Sequence, residues 1–399
     1  MMKKAIGIVC EYNPFHAGHR YHIEQSRKMA AESGTAGEEP AVICVMSGDF
    51  VQRGEWAILP KHERAEMAVK GGADLVVELP LPWCLSSAEG FASGAVDLLL
   101  RLGVTYLSFG SESGDLPALY RAAETVSSAA FLPSLSAYMH LHPELPYPAA
   151  RAAVLSSCGV DADCLEHPND LLAVEYLKAL GKCGFRSGFG EPVTPLAVRR
   201  VGSGHDERKN GDAGPFLSAK ALREEMKSAG QGTDGGILDI AAVSRLRELS
   251  PEVFGQIDDT ANGAGERLLA GVRSGAGTVD AVCLAAKTKS LTFSRLKRIA
   301  MRAVLHVTSD LSDGMPPYAR VLAMNARGRE YLASLRGTET VPVVIRPKEI
   351  AALPEFARRV FAAGAYAEDF YDLGIRSGIP PKCGEDYRRG PCIVGNCEK

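Results

Sequence analysis

Four apolar runs in the first 112 residues constrain the fold more than any other feature of the chain: KKAIGIVCE, AVICVMSG, DLVVELP and VTYLSFGSE. Between them lie three stretches with helical character, HRYHIEQSRKMAAE, LPKHERAEMAVKGGA and SSAEGFASGAVDLLLRLG. Strands that are apolar throughout and alternate with helices imply a parallel sheet covered by helices on both faces. Such sheets bind ligands beyond the carboxyl ends of their strands. The polar motifs EYNPFHAGH, MSGDFVQRGE and FGSESGD all stand at those ends. Their shared position is stronger evidence than any one of them alone.

Farther along, from about Leu116 to Met226, the chain reads as mostly helical. HPNDLLAVEYLKAL is its clearest helix, with Asn169 and Asp170 at the start, where Asx side chains cap. VGSGHDERKNGDAGPF reads as a mobile loop, SAKALREEM as a helix, and KSAGQGTDGG as a boundary. The expected division is a catalytic α/β domain over residues 1–236 and a largely helical α+β domain over residues 237–399. The second part shows helical periodicity at SRLKRIAMRAVLHV and strand-like runs at RVLAMNA and TVPVVIR.

Composition narrows the function classes. With 46% hydrophobic and 23% charged residues, the chain reads as an ordinary soluble globular protein. The net charge of -3 argues neither for nor against nucleic acid, so an RNA partner must be argued from local clusters. The opening MMKKAIGIVCEYN lacks the long apolar core of a signal peptide, and no run reaches the ~20 apolar residues that a membrane span needs. The ten cysteines are scattered, several within apolar runs, as in reduced cytosolic proteins. A cytoplasmic location is expected.

His16, His19 and His22 recur at three-residue steps where the first strand turns into a helix. That spacing puts them along one face of the helix's first turns. The free N–H groups and dipole at a helix N-terminus favour an anion, and imidazoles there can donate to phosphate oxygens during phosphoryl or nucleotidyl transfer. Gly18 leaves room for close approach of a ligand to the backbone. A metal site is the weaker reading, because no acidic residue intervenes as in His-Glu-x-x-His. Arg53 and Lys61 are expected to face phosphates or RNA, although Lys61 and Arg64 also suit a solvated helix face.

HAGH resembles the His-x-Gly-His signature of the nucleotidyltransferase superfamily, and SAKALREEM resembles its second signature, with Ser218, Lys220 and Arg223 in the matching slots. Taken with MSGDFVQRGE, ADLVVELP, FGSESGD, PNDLLAVEYLKAL and YARVLAMNARGREYL, these blocks resemble the tRNA(Met) cytidine acetate ligase family. The resemblance implies a nucleotidyltransferase-like (Rossmann-like) α/β fold. It also implies an enzyme that makes acetyl-adenylate from ATP and acetate, with Mg2+ accompanying the ATP. The acetyl group would then pass to N4 of the wobble cytidine of elongator tRNA(Met), with no obligate protein partner. Under it, Val9, Cys10, Glu11, Tyr12, Asn13, Pro14, Phe15, His16, Ala17, Gly18, His19, Arg20, Tyr21 and His22 form the ATP site. Gly110, Asn169 and Arg200 add further nucleotide contacts, with Arg199 the rival of Arg200. The catalytic groups implied are His16, His19 and Arg223, with Glu11 a guess for the base of acetyl transfer. Ala17, Trp56 and Lys220 depart from the family's usual residues, as does the loop around His205.

For RNA, AKTKSLTFSRLKRIAMR carries Lys287, Lys289, Arg295, Lys297, Arg298 and Arg302 without an acidic residue, and helical spacing aligns Arg295, Arg298 and Arg302. Arg320, Arg327 and Arg329 are candidates to extend the patch. Cys383, Cys392 and Cys397 lack a Cys-x-x-Cys pair, and frayed-tail thiols suit them better than zinc ligands. Two other functions remain open at this level: a nucleotidylyltransferase acting on a small metabolite, and a catalytically silent RNA-binding protein.

Overall fold

The computed structural model describes residues 3–33, 39–145, 147–162, 167–201, 218–376 and 382–395. The expected loop with His205, and Cys397, lie outside these residues. The apolar runs form β1 (Ala5–Cys10), β2 (Ala41–Ser47), β5 (Leu75–Leu79) and β6 (Tyr106–Ser111), with a short hairpin of β3 (Phe50–Val51) and β4 (Glu55–Trp56) after β2. Later come β7 (Thr194–Arg199), β8 (Ala319–Met324), β9 (Val343–Val344) and β10 (Cys392–Ile393). The main sheet has eight strands in the order β10-β8-β5-β2-β1-β6-β7, with β9 beside β8.

Strands β5, β2, β1, β6 and β7 are mutually parallel, as the alternation implies. The chain lays down β1, β2 and β5 in one direction and then crosses to the other side of β1 for β6. That reversal opens a crevice between the carboxyl ends of β1 and β6. Helix α1 (Ala17–Ser33) starts in this crevice, and α2 (Lys61–Lys70) follows β2 and the hairpin. Ser26 Oγ lies 2.7 Å from Ser108 Oγ, tying α1 to β6. Arg27 pairs at 2.7 Å with Asp74, just before β5.

Two features depart from the sequence reading. β8 joins the N-terminal sheet antiparallel to β5, so the expected division after residue 236 does not separate one sheet from another. The cause lies in ARVLAM, whose six residues are all buried: away from water its backbone N–H and C=O groups need ladder partners, which the free edge of β5 provides. The helices between Gly235 and Val304 do gather their own apolar cluster around Leu246, Leu268, Leu296 and Ile299. The other departure is β7, inside the stretch read as helical. Pro195 confines it to the sheet edge, where the missing N–H costs no ladder bond.

Candidate active site

The loop from β1 to α1 is built around Arg64 of α2, which is fully buried. Its guanidinium donates to the carbonyls of Glu11, Gly48 and Leu59, so one cation gathers the ends of β1 and β2. Asn13 Oδ1 accepts from Ile58 N at 2.8 Å. Tyr12 takes a left-handed backbone conformation, with φ 46°, and its ring packs against Phe15 and His19. Phe15 lies over Gly71, where any β-carbon would overlap the ring.

His16 stands at the N-terminus of α1, and its carbonyl accepts from His19 N at 2.9 Å. Its own ring caps the helix: Gly18 N donates to His16 Nδ1 at 3.1 Å, while His16 N donates to His19 Nδ1 at 3.2 Å. The two imidazoles stack with centroids 3.7 Å apart. With each Nδ1 committed as an acceptor, each neutral ring carries its proton on Nε2, as the hydrogen-bond network assigns it. Burial, reinforced by Arg200 and Arg223, pushes His16 down to about 4. Burial and the neighbouring imidazoles hold His19 well below its ordinary value, and burial with Arg200 brings His22 to about 4. His22 Nε2 sits 3.0 Å from Ser108 Oγ on β6. All three rings are therefore neutral at pH 7, and His16 and His19 offer N–H donors rather than charge.

The cations come from elsewhere. Ser218 Oγ caps the helix Ala219–Ser228, and Arg223 on that helix donates to Asn13 O at 2.7 Å. Arg200 follows β7 and lies over Gly110, its Cγ 3.5 Å from where a β-carbon there would stand. Its Nη1 is 3.5 Å from Asn169 Oδ1. Arg199 instead packs over Gly114, so Arg200 is the arginine facing the histidines. Lys220, Arg20 and Arg53 are exposed. Glu11 Oε1 accepts from Gln52 N at 2.7 Å, and burial raises its carboxyl against the pull of that amide and of Arg53 and Arg64. Val9 and Cys10 complete β1, with Cys10 Sγ directed at Val45 O. Ala17, Gly18 and Tyr21 occupy the first turns of α1.

Several expected sites lie elsewhere. Lys61 is buried, 2.7 Å from Asp386 and 3.1 Å from Glu78, so it faces neither phosphate nor RNA. Arg64 is structural, as described. Arg295 and Arg298 pair with Asp259, Arg302 with Asp258, and Arg320 with Glu78 and Asp386. These contacts largely spend the expected basic stripe inside the fold. Arg327 is likewise paired with Glu39, while Arg329 is exposed. Cys383 is exposed and Cys392 half-buried, with no disulfide. Among the described residues, the one trio able to converge on a metal is His62, Glu368 and Asp386, not the histidines of α1. Lys61 and Arg320 already supply positive charge to that trio's Asp386.

Sequence reading missed the pairing of FGSE with PND. Asn169 and Asp170 do not cap their own helix, which starts at Pro168. Glu112 does so from the β6 loop, accepting from Asp170 N at 3.0 Å.

This geometry has known counterparts. The HIGH nucleotidyl transferase family model matches residues 2–252 and 238–380. A tRNA(Met) cytidine acetate ligase of Syntrophotalea carbinolica is 36% identical over 86% of this chain and 84% of its own length. The chain belongs to the tRNA(Met) cytidine acetate ligase family. Another member, from Acetivibrio thermocellus, is 29% identical over 98% of this chain and its own full length. The crystal structure of Thermotoga maritima TmcAL bound with alpha-thio ATP superposes with a TM-score of 0.84 at 27% identity, covering 98% of this chain and all of that one. The ligase family and the nucleotidyltransferase fold thus agree with the position of the histidines at the switch between β1 and β6.

Proposed function

We propose that this chain is an ATP-dependent ligase that acetylates N4 of the wobble cytidine of elongator tRNA(Met) through acetyl-adenylate. One observation carries the reading: His16 and His19 stack at the start of α1, flanked by Arg200 and Arg223. A bound nucleoside triphosphate would lie over the carboxyl ends of β1 and β6. An acetate oxygen attacks the α-phosphorus while the bond to the β-phosphate oxygen breaks. Charge then grows on pyrophosphate, where the Nε2–H groups of His16 and His19 and the guanidinium of Arg223 stabilise it without rearranging. In the second step the cytidine amine attacks the acetyl carbon, AMP leaves, and the amine gives up one proton. Glu11 is a candidate to take that proton, since burial raises its carboxyl towards a useful basicity. Mg2+ would arrive with the triphosphate, whose oxygens supply most of its ligands, and would neutralise part of that charge. No step is assigned to it.

Incubation with ATP, labelled acetate and bulk tRNA tests this directly. The label should enter tRNA only when ATP is present. Pyrophosphate release that does not need acetate would instead indicate a small-metabolite nucleotidylyltransferase, and RNA retention without turnover a silent binding protein. Among the described residues no helix is long and apolar enough to cross a membrane.

A further inference from the structure

The loop after β6 and the N-terminus of the helix Pro168–Lys182 hold each other by exchanged carboxylates. Asp170, fully buried, accepts from Glu112 N at 3.0 Å and Ser113 N at 3.1 Å, and also from the Ser111 hydroxyl. In return Glu112 Oε2 accepts from Asp170 N at 3.0 Å, and Glu112 Oε1 accepts from the side-chain amide of Asn169. The N-cap residue, His167, makes no side-chain cap, so Glu112 satisfies amides that the helix itself leaves open.

An ionised carboxylate only accepts hydrogen bonds. The Asn169 NH2 must therefore point at Glu112, and Oδ1 must point away from it, towards Arg200 Nη1 at 3.5 Å. We infer that Glu112 is a positioning residue that fixes the Asn169 amide so that it meets the nucleoside part of the bound nucleotide as an acceptor. This rests on the nucleotide reading of the crevice. An acceptor beside Arg200 repels phosphate oxygen and takes a donor, either a ribose hydroxyl or the exocyclic amine of adenine. Glu112 would thus divide the site, leaving the anion to Arg200 and the imidazoles and the nucleoside donor to Asn169.

Replacing Glu112 by Gln reverses this logic. Asn169 N also donates to Glu112 Oε1 at 3.4 Å, so three N–H groups face Glu112, and in the variant at least one of them would meet an NH2. The least costly answer is for Asn169 to turn over, offering its own NH2 towards Arg200. The test compares wild-type chain with Glu112→Gln for equilibrium binding of ATP, 2′-deoxy-ATP, inosine triphosphate and inorganic tripolyphosphate, with melting temperatures alongside. Wild type should bind ATP at least fivefold more tightly than whichever nucleotide lacks the donor, 2′-deoxy-ATP for the hydroxyl or inosine triphosphate for the amine. In Glu112→Gln that preference should fall to within twofold, while tripolyphosphate affinity and melting temperature hold. Glu112→Asp, which keeps the accepting charge, should retain most of the preference. An unchanged preference in Glu112→Gln, or an equal loss for tripolyphosphate, overturns the inference alone. A wild-type chain that binds no ATP overturns the nucleotide reading and the inference with it.

Discussion

Two donors in this crevice are set by backbone amides rather than by other side chains. Gly18 N and His16 N occupy the Nδ1 positions of His16 and His19, and both rings must then present Nε2–H. His19→Ala removes one such donor while leaving the helix cap on His16 in place. Acetyl-adenylate formation should fall at least a hundredfold, in line with losing an oxyanion donor, while tRNA affinity measured by filter binding changes less than twofold. An equal loss of both would mean the imidazole serves RNA instead. The same burial makes a statement about pH. His16 and His22 titrate at about 4 in the folded chain, against 6.5 for a free imidazole. Between those values the unfolded chain binds more protons than the folded one, so acid favours unfolding. The nucleotide-free protein should therefore lose melting temperature as pH drops from 6.5 towards 4, at about 1.4 kcal/mol per unit of depressed pKa for each ring, less where water reaches it. His22→Asn should flatten that slope; a curve as steep as wild type would place the proton uptake elsewhere.

At the scale of elements, the helix Phe293–Val304 shows what a sequence can and cannot say. Its period aligned Arg295, Arg298 and Arg302, and the structure keeps them on one helix. Periodicity does not tell which side is buried or what waits there, and here Asp258 and Asp259 come from a loop about forty residues earlier. Arg302 is buried, donating to Asp258 at 2.7 Å, to Ser312 Oγ at 2.6 Å and to Pro82 O at 3.2 Å. Arg302→Met should cost about 3 kcal/mol of unfolding free energy in urea, because Asp258 and the Pro82 carbonyl lose their partner. The salt dependence of tRNA binding should stay as it was; a slope reduced by about one would show Arg302 on a phosphate after all. The strand ends were legible because apolar runs and the turns after them are local signals. β7 was not, because its apolar run is only Leu196, Ala197 and Val198 and Pro195 stands just before it, a pattern too short and interrupted to mark a strand. The Glu112–Asn169 pairing joins residues far apart in sequence, and each motif alone read as a strand end or a cap.

The molecule as a whole is closed by charge that the sequence scattered over four segments. Lys61 comes from α2, Glu368 from the helix Glu355–Tyr371 and Asp386 from the C-terminal segment, with Arg320 of β8 beside them. Lys61 and Arg320 hold the Asp386 carboxyl well below the usual carboxylate range, whereas burial and the nearby Asp386 push Glu368 up to about 10, so that it keeps its proton. One ionised carboxylate on the tail thus answers cations from α2 and β8. The same α2 carries Arg64, which gathers the loops under His16, so the tail's grip on α2 bears on the crevice. Asp386→Asn should lower stability by about 3–5 kcal/mol, since Lys61 and Arg320 stay buried while the carboxylate between them is gone. Lys61→Met should cost a similar amount for the converse reason. The double variant Lys61→Met with Asp386→Asn should lose clearly less than the sum of the two, because the second change removes a charge that the first left with fewer counter-ions, Asp386 with Arg320 or Lys61 with Glu78. Urea unfolding of the four proteins measures that coupling, and strict additivity would show that the two groups do not lean on each other. If the tail supports the crevice through α2, the single variants should also raise the KM for ATP, and the double variant should recover part of that loss together with its stability.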